Sequence, residues 1–452
     1  MFETDKSLLK KAVCEAIEER AQEIRDIKTD IWNHPELGYK EFRTAEKVAE
    51  VFARLGLPYR TGLGITGVRA DLEGLSAAAD PASQDSAAKR PTVGIFGELD
   101  AVVCWDHVNA DKKTGAVHAC GHDAQIASML GAAMGLIDAG AQSYLGGNIA
   151  FVAVPAEEFV ELEYRERLMD EGKIEFFGGK QELLRLGHLS DIDLAEMIHV
   201  DADTPGRVVK LSLGSNGFVG KTVKYVGREA HAGAAPHLGA NALNAAMLGI
   251  FGIHAQRETF KDEDHIRVHP IITKGGDLVN IVPADVRIET YVRGARTEAI
   301  FEANMKVNRA LRAGASAVGA AVEITEIPGY LPLRTCEPLS ALFEANAREI
   351  LGPDGVQVSD FSGGSTDMGD ISHVIPAIHP YVGGIAGAAH TRTYEVVDLD
   401  MVSVIPAKIL AMTAIDLLWG DASEAKRIKA EFKPPYTKET YLEMWRKFRA
   451  EG

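Results

Sequence analysis

Cysteine is scarce in this sequence. The four present, Cys14, Cys104, Cys120 and Cys336, are scattered without a framework spacing, which excludes a disulfide-built scaffold and leaves reduced thiols that are free to act as ligands. Basic charge is also short. Forty-eight Lys and Arg stand against 65 Asp and Glu, a net charge of -17, so a phosphate backbone would be repelled and no nucleic-acid partner is expected. A small-molecule substrate fits better. No run approaches the roughly 18 uninterrupted apolar residues of a membrane span, and the start, Met1-Phe2-Glu3-Thr4-Asp5-Lys6, lacks the basic and then apolar pattern of a secretory leader. The expectation is a cytoplasmic protein that makes no membrane contact.

What is present reads as a folded chain, with 46% hydrophobic and 25% charged residues over 452 positions, too many for one compact core. Apolar residues recur at three and four from Leu8 to Ile31, predicting an amphipathic helix stopped by His34-Pro35. A second helix is expected from Thr44 to Leu55, capped by Gly56. Residues 74–91 carry no periodicity and predict a mobile surface loop between strands at 65–72 and 92–98. Gln125 to Ile137 reads as helix and Asn148 to Val154 as a buried strand. Alternation of this kind indicates an α/β sheet with ligands outside the strand ends. From Ser212 the pattern changes to strands at 217–226, 267–274, 278–282 and 286–293, with helices at 240–256 and 297–313. Helix and strand alternation resumes at Leu339 to Ile350, Ile375 to Tyr381 and Met401 to Trp419. The predicted organisation is therefore a discontinuous α/β catalytic domain, 1–211 and 325–452, interrupted by an α+β insertion at 212–324.

The stretch His118-Ala119-Cys120-Gly121-His122-Asp123 places three metal-binding groups on alternate residues, and if it is extended His118, Cys120 and His122 share one side. Thiolate and imidazole together suit zinc and its neighbours rather than magnesium or calcium. The apolar strand ending at Gly97 delivers Glu98 and Asp100 to its carboxyl end. Glu157-Glu158 follow a second apolar run and Pro155, so two carboxylates stand at a strand mouth, where one can bind metal while the other takes a proton. His199 ends a further short apolar run, and His390 lies in a Gly-rich loop.

With those residues in view, the sequence resembles the metal-dependent amidohydrolase and aminoacylase/carboxypeptidase family, which includes hippurate hydrolases, auxin-conjugate hydrolases, carboxypeptidase G and the aminobenzoyl-glutamate hydrolases. The likeness spans residues 20–420. It rests on Gly97 to Ala101, His118 to Asp123, Pro155 to Glu158, His199, His231-Ala232 with Pro236 and Asn241-Ala242, Asn280 to Pro283, and Ser365-Thr366-Asp367, a block that leans toward the aminobenzoyl-glutamate branch. The resemblance implies a zinc-peptidase-like catalytic domain with an inserted domain acting as lid and dimerisation module, and hence a homodimer. It implies Cys120, His122, Glu158, His199 and His390 as ligands of one or two zinc or manganese ions. It implies Glu157 as general base, with Asp100 behind the ligands and His231 reaching the partner's site to bind the reacting carbonyl. Asn280 and Arg293 match positions that hold a substrate carboxylate, a task suited to the planar fork of Arg. The implied reaction is attack of metal-activated water on the amide of an N-acyl or N-aroyl amino acid. One departure is the stretch between Asp100 and His118, longer than in the hippurate branch, with Cys104-Trp105-Asp106-His107 in it.

Two other readings use the same residues. An activated water attacking a ring carbon would deaminate an aromatic amine, and a non-catalytic binding protein on this scaffold would have lost ligand or base positions, which this chain has not.

Overall fold

The computed structural model describes residues 2–78, 90–204, 206–359 and 361–451. Most of the loop expected at 74–91 lies outside them. The chain opens with helices α1 (Phe2–Glu19), α2 (Ala21–Trp32) and α3 (Phe42–Arg54), then strands β1 (Tyr59–Leu63), β2 (Gly67–Leu72) and β3 (Thr92–Glu98). Helix α4 (His122–Asp138), strand β4 (Asn148–Val154), helix α5 (Gly179–Leu186) and strands β5 (Leu194–Glu196), β6 (His199–Val200) and β7 (Val209–Ser212) follow. Next come β8 (Gly217–Val226), α6 (Ala242–Ala255), β9 (Arg267–Val268), β10 (Ile271–Lys274), β11 (Asp285–Gly294), α7 (Thr297–Ala317) and β12 (Ala321–Tyr330). The last stretch holds α8 (Glu337–Leu351), β13 (Val356–Ser359), β14 (Ala377–Ile378), β15 (Tyr381–Val382), α9 (Ile405–Leu418) and α10 (Lys438–Glu451).

Two compact units result: a large one of Met1–Leu213, Arg334–Asp360 and Asp370–Tyr436, and a small one of Gly214–Leu333, Phe361–Gly369 and Thr437–Gly452. The large unit carries a six-stranded sheet in the order β1-β2-β4-β3-β5-β14, in which β4, β3, β5 and β14 run parallel. A second sheet runs β13-β7-β15-β6. Helix α4 is buried from His122 to Leu136 because α1, α2, α9 and β3 pack around it, so its sequence is apolar on all sides. Small residues make room for those neighbours. A Cβ on Gly131 would meet Ile24 at 2.8 Å and one on Gly135 would meet Ile17 at 2.3 Å. The residues of α9 and the turn before it, Asp400–Leu418, are long and apolar enough to cross a membrane, but 94% of that span is buried in the protein core.

The small unit is an antiparallel sheet, β9-β11-β8-β12, with β10 also pairing β11, covered by α6 and α7.

Four sequence expectations need correction. The helix expected from Leu8 to Ile31 is two helices that break at Arg20, where the side chain ties to Asp138 at 2.8 Å and both halves then pack on α4. The strand at 267–274 is split by Pro270, which has no N–H for the ladder. Residues 278–282 form no strand. Leu278 and Val279 are exposed, and their apolar pattern serves no buried sheet face. Finally, 325–333, 361–369 and 437–452 belong to the small unit instead of the large one; for 437–452 the reason is that the last helix carries Tyr441, Leu442 and Trp445 as a buried face that packs on β12.

Candidate metal centre

Register places the site. Glu98 in β3 lies beside Val154 in β4, so Glu98 to Asp100 and Pro155 to Glu158 leave adjacent parallel strands at the same carboxyl end. Buried Arg165 fixes the second exit by donating to the carbonyls of Phe177 at 2.6 Å and of Ala156 and Glu158. The Ala156 N–H donates to Glu41 Oε1 at 2.8 Å. Burial and the charge of Asp100 push the Glu41 carboxyl up to about 7.

Cys120 and His122 arrive differently from the extended arrangement expected. The chain turns at Ala119-Cys120, passes through Gly121 at φ 93° and enters α4 at His122. Glycine is required twice at that point, since a Cβ would lie 2.1 Å from Val200 and 2.9 Å from the Tyr394 hydroxyl. The turn takes His118 out of the cluster. Its ring is buried with neither nitrogen hydrogen-bonded among the described residues, and burial holds its pKa down at about 4.

Three groups of donors converge, each within 4.8 Å: Cys120 with His122 and His199, Cys120 with Glu158 and His390, and Glu98 with His122 and Glu157. Cys120 belongs to two of them. His122 Nδ1 donates to the Asp100 carbonyl at 2.9 Å, with Asp100 Oδ1 at 3.2 Å, which turns Nε2 toward the cluster. That Nε2 is buried without a hydrogen bond among the described residues, although Glu98 Oε2 is 3.0 Å away and Glu158 Oε1 and Glu157 Oε2 are 3.9 and 4.0 Å away. A ring held this way is the usual state of a metal-binding histidine. His199 is similar. Its Nδ1 donates to the Val200 carbonyl at 2.7 Å, and its Nε2 is 3.4 Å from Cys120 Sγ. His390 Nε2 stands 3.1 Å from Glu158 Oε1, on a backbone at φ 60° pinned by its N–H to the Ala119 carbonyl at 2.9 Å.

Electrostatics agree with a metal-ready site. Burial and Glu158 push the Cys120 thiol up, but His122, His199 and His390 outweigh them and bring it down to about 6. Burial likewise raises Glu158, and His390 more than reverses this, to about 2. Thiolate, imidazole and carboxylate donors with two ring nitrogens oriented inward fit one or two divalent transition ions.

Glu98 was not assigned a site role from sequence. Its Oε2 accepts from Gln125 Nε2 at 2.9 Å and its Oε1 from Lys180 at 2.5 Å, all three side chains fully buried. Burial raises the Glu98 carboxyl, but Lys180, His122 and His199 hold it well below the usual range. The available signal was the pair Glu98 and Asp100, two residues apart on one strand exit.

The remaining expected residues lie in the small unit. His231 is exposed, and its Nδ1 accepts the N–H groups of Gly233 and Ala234 at 3.2 and 3.0 Å, so Nε2 carries the proton and points a donor outward. Asn280 is exposed beside the bridge between Ile281 and His231. Arg293 is half-buried, donates to Ser365 Oγ at 2.8 Å, and has the rings of Phe218 and Tyr291 within 5.2 and 5.5 Å of its guanidinium.

Comparison with known proteins follows the same lines. Residues 94–415 match the model of peptidase family M20/M25/M40. An Xaa-Arg dipeptidase of Mus musculus is 28% identical, covering 96% of this chain and 94% of its own. One of the p-aminobenzoyl-glutamate hydrolase subunits of Escherichia coli is 26% identical over 86% of this chain and 94% of its own. Among solved structures, the Bacillus subtilis YxeP protein, a dinuclear metal-binding peptidase of the M20 family, superposes with a TM-score of 0.64 at 20% identity, covering 89% of this chain and 99% of that one.

Proposed function

The chain belongs to peptidase family M20/M25/M40 and is a hydrolase of amide or peptide bonds, and we propose that it cleaves an N-acyl, N-aroyl or aminoacyl amino acid with a free carboxylate. The observation that carries this reading is the sharing of Cys120 between two donor groups, with Glu157 beside them. We assign Cys120, His122, Glu158, His199 and His390 as ligands of zinc or manganese, two ions when fully loaded. A divalent ion there lowers the pKa of water and polarises a carbonyl. Glu157, at the strand mouth with its Oε2 4.0 Å from His122 Nε2, takes the proton from the attacking water and returns it to the departing amine. Asp100 holds His122 and the Glu158 backbone in place. His231 Nε2–H donates to the developing oxyanion, and Arg293, with Asn280, holds the substrate carboxylate.

Support for the substrate class comes from both sides. The relatives' names place Arg in one and glutamate in the other at the amino-acid end of the cleaved molecule, and Arg293 supplies the fork that a carboxylate common to both requires. The small unit is the lid and dimerisation module in this reading. Strand β10 ends its sheet, with Ile271 and Ile272 at 50% and 42% exposure, and Met247, Leu248 and Phe251 form an exposed apolar face on α6, surface that a second copy would cover.

The test is a panel of aminobenzoyl-glutamate, N-acyl amino acids, Xaa-Arg dipeptides and aromatic amines, with amino acid and ammonia measured separately. Release of the amino acid in step with substrate loss is expected. Ammonia without amino acid would replace this reading by deamination.

A further inference from the structure

Three residues other than glycine hold left-handed backbones around one buried carboxylate in the large unit. Tyr39, on the same segment as Glu41, lies at φ 61°, Ile65 beside Thr66 at φ 79°, and Ala156, between β4 and the two site glutamates, at φ 50°. Side chains disfavour this region, and a β-branched one such as Ile65 disfavours it most. Such strain persists only where the surroundings over-determine it, and it gathers where function needs it. Glu41 is fully buried. Its Oε1 accepts the Ala156 N–H at 2.8 Å and its Oε2 the Thr66 hydroxyl at 2.6 Å, so one carboxylate ties the two strained segments together.

The turn at Ala156 has a consequence for the site. In a continued strand Glu157 and Glu158 would point to opposite faces, yet Glu158 Oε1 and Glu157 Oε2 lie 3.9 and 4.0 Å from the same atom, His122 Nε2. The chain therefore leaves the strand before them. Alanine resists the conformation that glycine would take freely, and both sides of the residue are tied: Glu41 takes its N–H, while its carbonyl receives the Gly179 N–H at 3.2 Å and Arg165 Nη1 at 3.4 Å. Glu158 has further ties of its own, its N–H to Asp100 Oδ2 at 2.9 Å and its carbonyl to Arg165.

We propose that Glu41 is a positioning residue for the hydrolysis: by holding the Ala156 N–H it keeps that residue left-handed and so aims the Glu157 carboxylate at the attacking water. This role rests on Glu157 being the base. Because Asp100 and Arg165 hold Glu158 independently, loss of Glu41 should disturb the proton transfer and leave metal binding alone.

The experiment combines steady-state kinetics on aminobenzoyl-glutamate, or on the panel member that the wild-type chain cleaves fastest, with metal content by elemental analysis. Glu41→Ala should lower kcat about tenfold or more with KM within about twofold and metal content unchanged. Glu41→Gln keeps an oxygen for the Ala156 N–H and should stay within about threefold of wild type. Ala156→Gly added to Glu41→Ala should raise kcat again by about threefold or more, since glycine takes φ 50° without strain, whereas in a merely structural role the added flexibility would deepen the loss. Should Glu41→Ala fail to fold, Glu41→Met, of similar length and without an oxygen, takes its place under the same outcomes. Full turnover in Glu41→Ala beside an inactive Glu157→Gln would overturn this role alone, and so would loss of metal in Glu41→Ala or no recovery with Ala156→Gly. Full turnover in Glu157→Gln would overturn it together with the base assignment.

Discussion

The Glu158 backbone N–H donates to Asp100 Oδ2 at 2.9 Å while Oδ1 of the same carboxylate lies 3.2 Å from His122 Nδ1. One buried side chain thus braces two proposed ligands that arrive from different elements, the exit of β4 and the start of α4. Removing one charge should loosen both. Asp100→Asn is expected to weaken metal binding by about 10- to 100-fold, the usual cost of losing such a partner, with circular dichroism unchanged. Metal affinity equal to the parent's would mean that Asp100 braces nothing.

Metal binding should release protons. In the metal-free protein Glu158 raises His390 to about 11, against the opposing effect of burial, and His122 and His199 are also raised above their ordinary value against burial, by Glu98 and Cys120 for the first and chiefly by Cys120 for the second. Those protons must leave before the rings can bind an ion. Affinity for zinc or manganese should therefore rise with pH and fall as pH drops, and unbuffered titration should show proton uptake on chelation. Cys120→Ala should lower metal content, whereas Cys14→Ala and Cys336→Ala should leave it alone. Fully active protein without metal by elemental analysis would contradict the assignment.

The two adjacent glutamates should separate cleanly. Glu157→Gln keeps shape but removes the base, so turnover should fall by about 10² to 10⁴ with metal content unchanged. Glu158→Gln should lose metal instead. The reverse pattern would mean that the roles are exchanged.

Arg293→Ala should cost roughly 1.5 to 3 kcal/mol in catalytic efficiency toward carboxylate-bearing substrates and little toward their neutral amides. Equal losses on both would remove Arg293 from carboxylate recognition.

A shared site would show itself by complementation. His231→Ala and Glu157→Gln are each expected to be nearly inactive, and after exchange between the two dimers half of the resulting molecules are mixed, with one of two sites intact. About a quarter of wild-type activity should then return. Exchange demonstrated by mass with no recovery would mean that each chain supplies its own His231.

Much of the large unit was legible because local pattern and local structure coincide there. Asn148 to Val154 is an uninterrupted apolar run and forms a strand with those bounds, and Gly56 ends its helix in the left-handed region at φ 70°, as glycine does without strain. Cys120, His122, Glu158, His199 and His390 were named as candidate donors from the family resemblance, and the fold brings their donor atoms together in groups. His118 was misplaced by its local pattern. Alternation tells which side a residue takes only while the backbone stays extended, and the left-handed Gly121 ends that condition.

Pairings distant in sequence had no local trace. Lys180 meets Glu98 across 82 residues, Glu41 reaches Ala156 across 115, and α10 joins a sheet whose strands precede it by more than a hundred positions. Burial of a charge is decided by what else the fold brings alongside it, and periodicity reports only which face of an element is apolar. Residue chemistry and local period therefore determine the strands, the helices and the donor types. Which turn removes His118, which carboxylate braces two proposed ligands and which lysine neutralises Glu98 follow from packing, because each needs a partner that chain folding alone delivers.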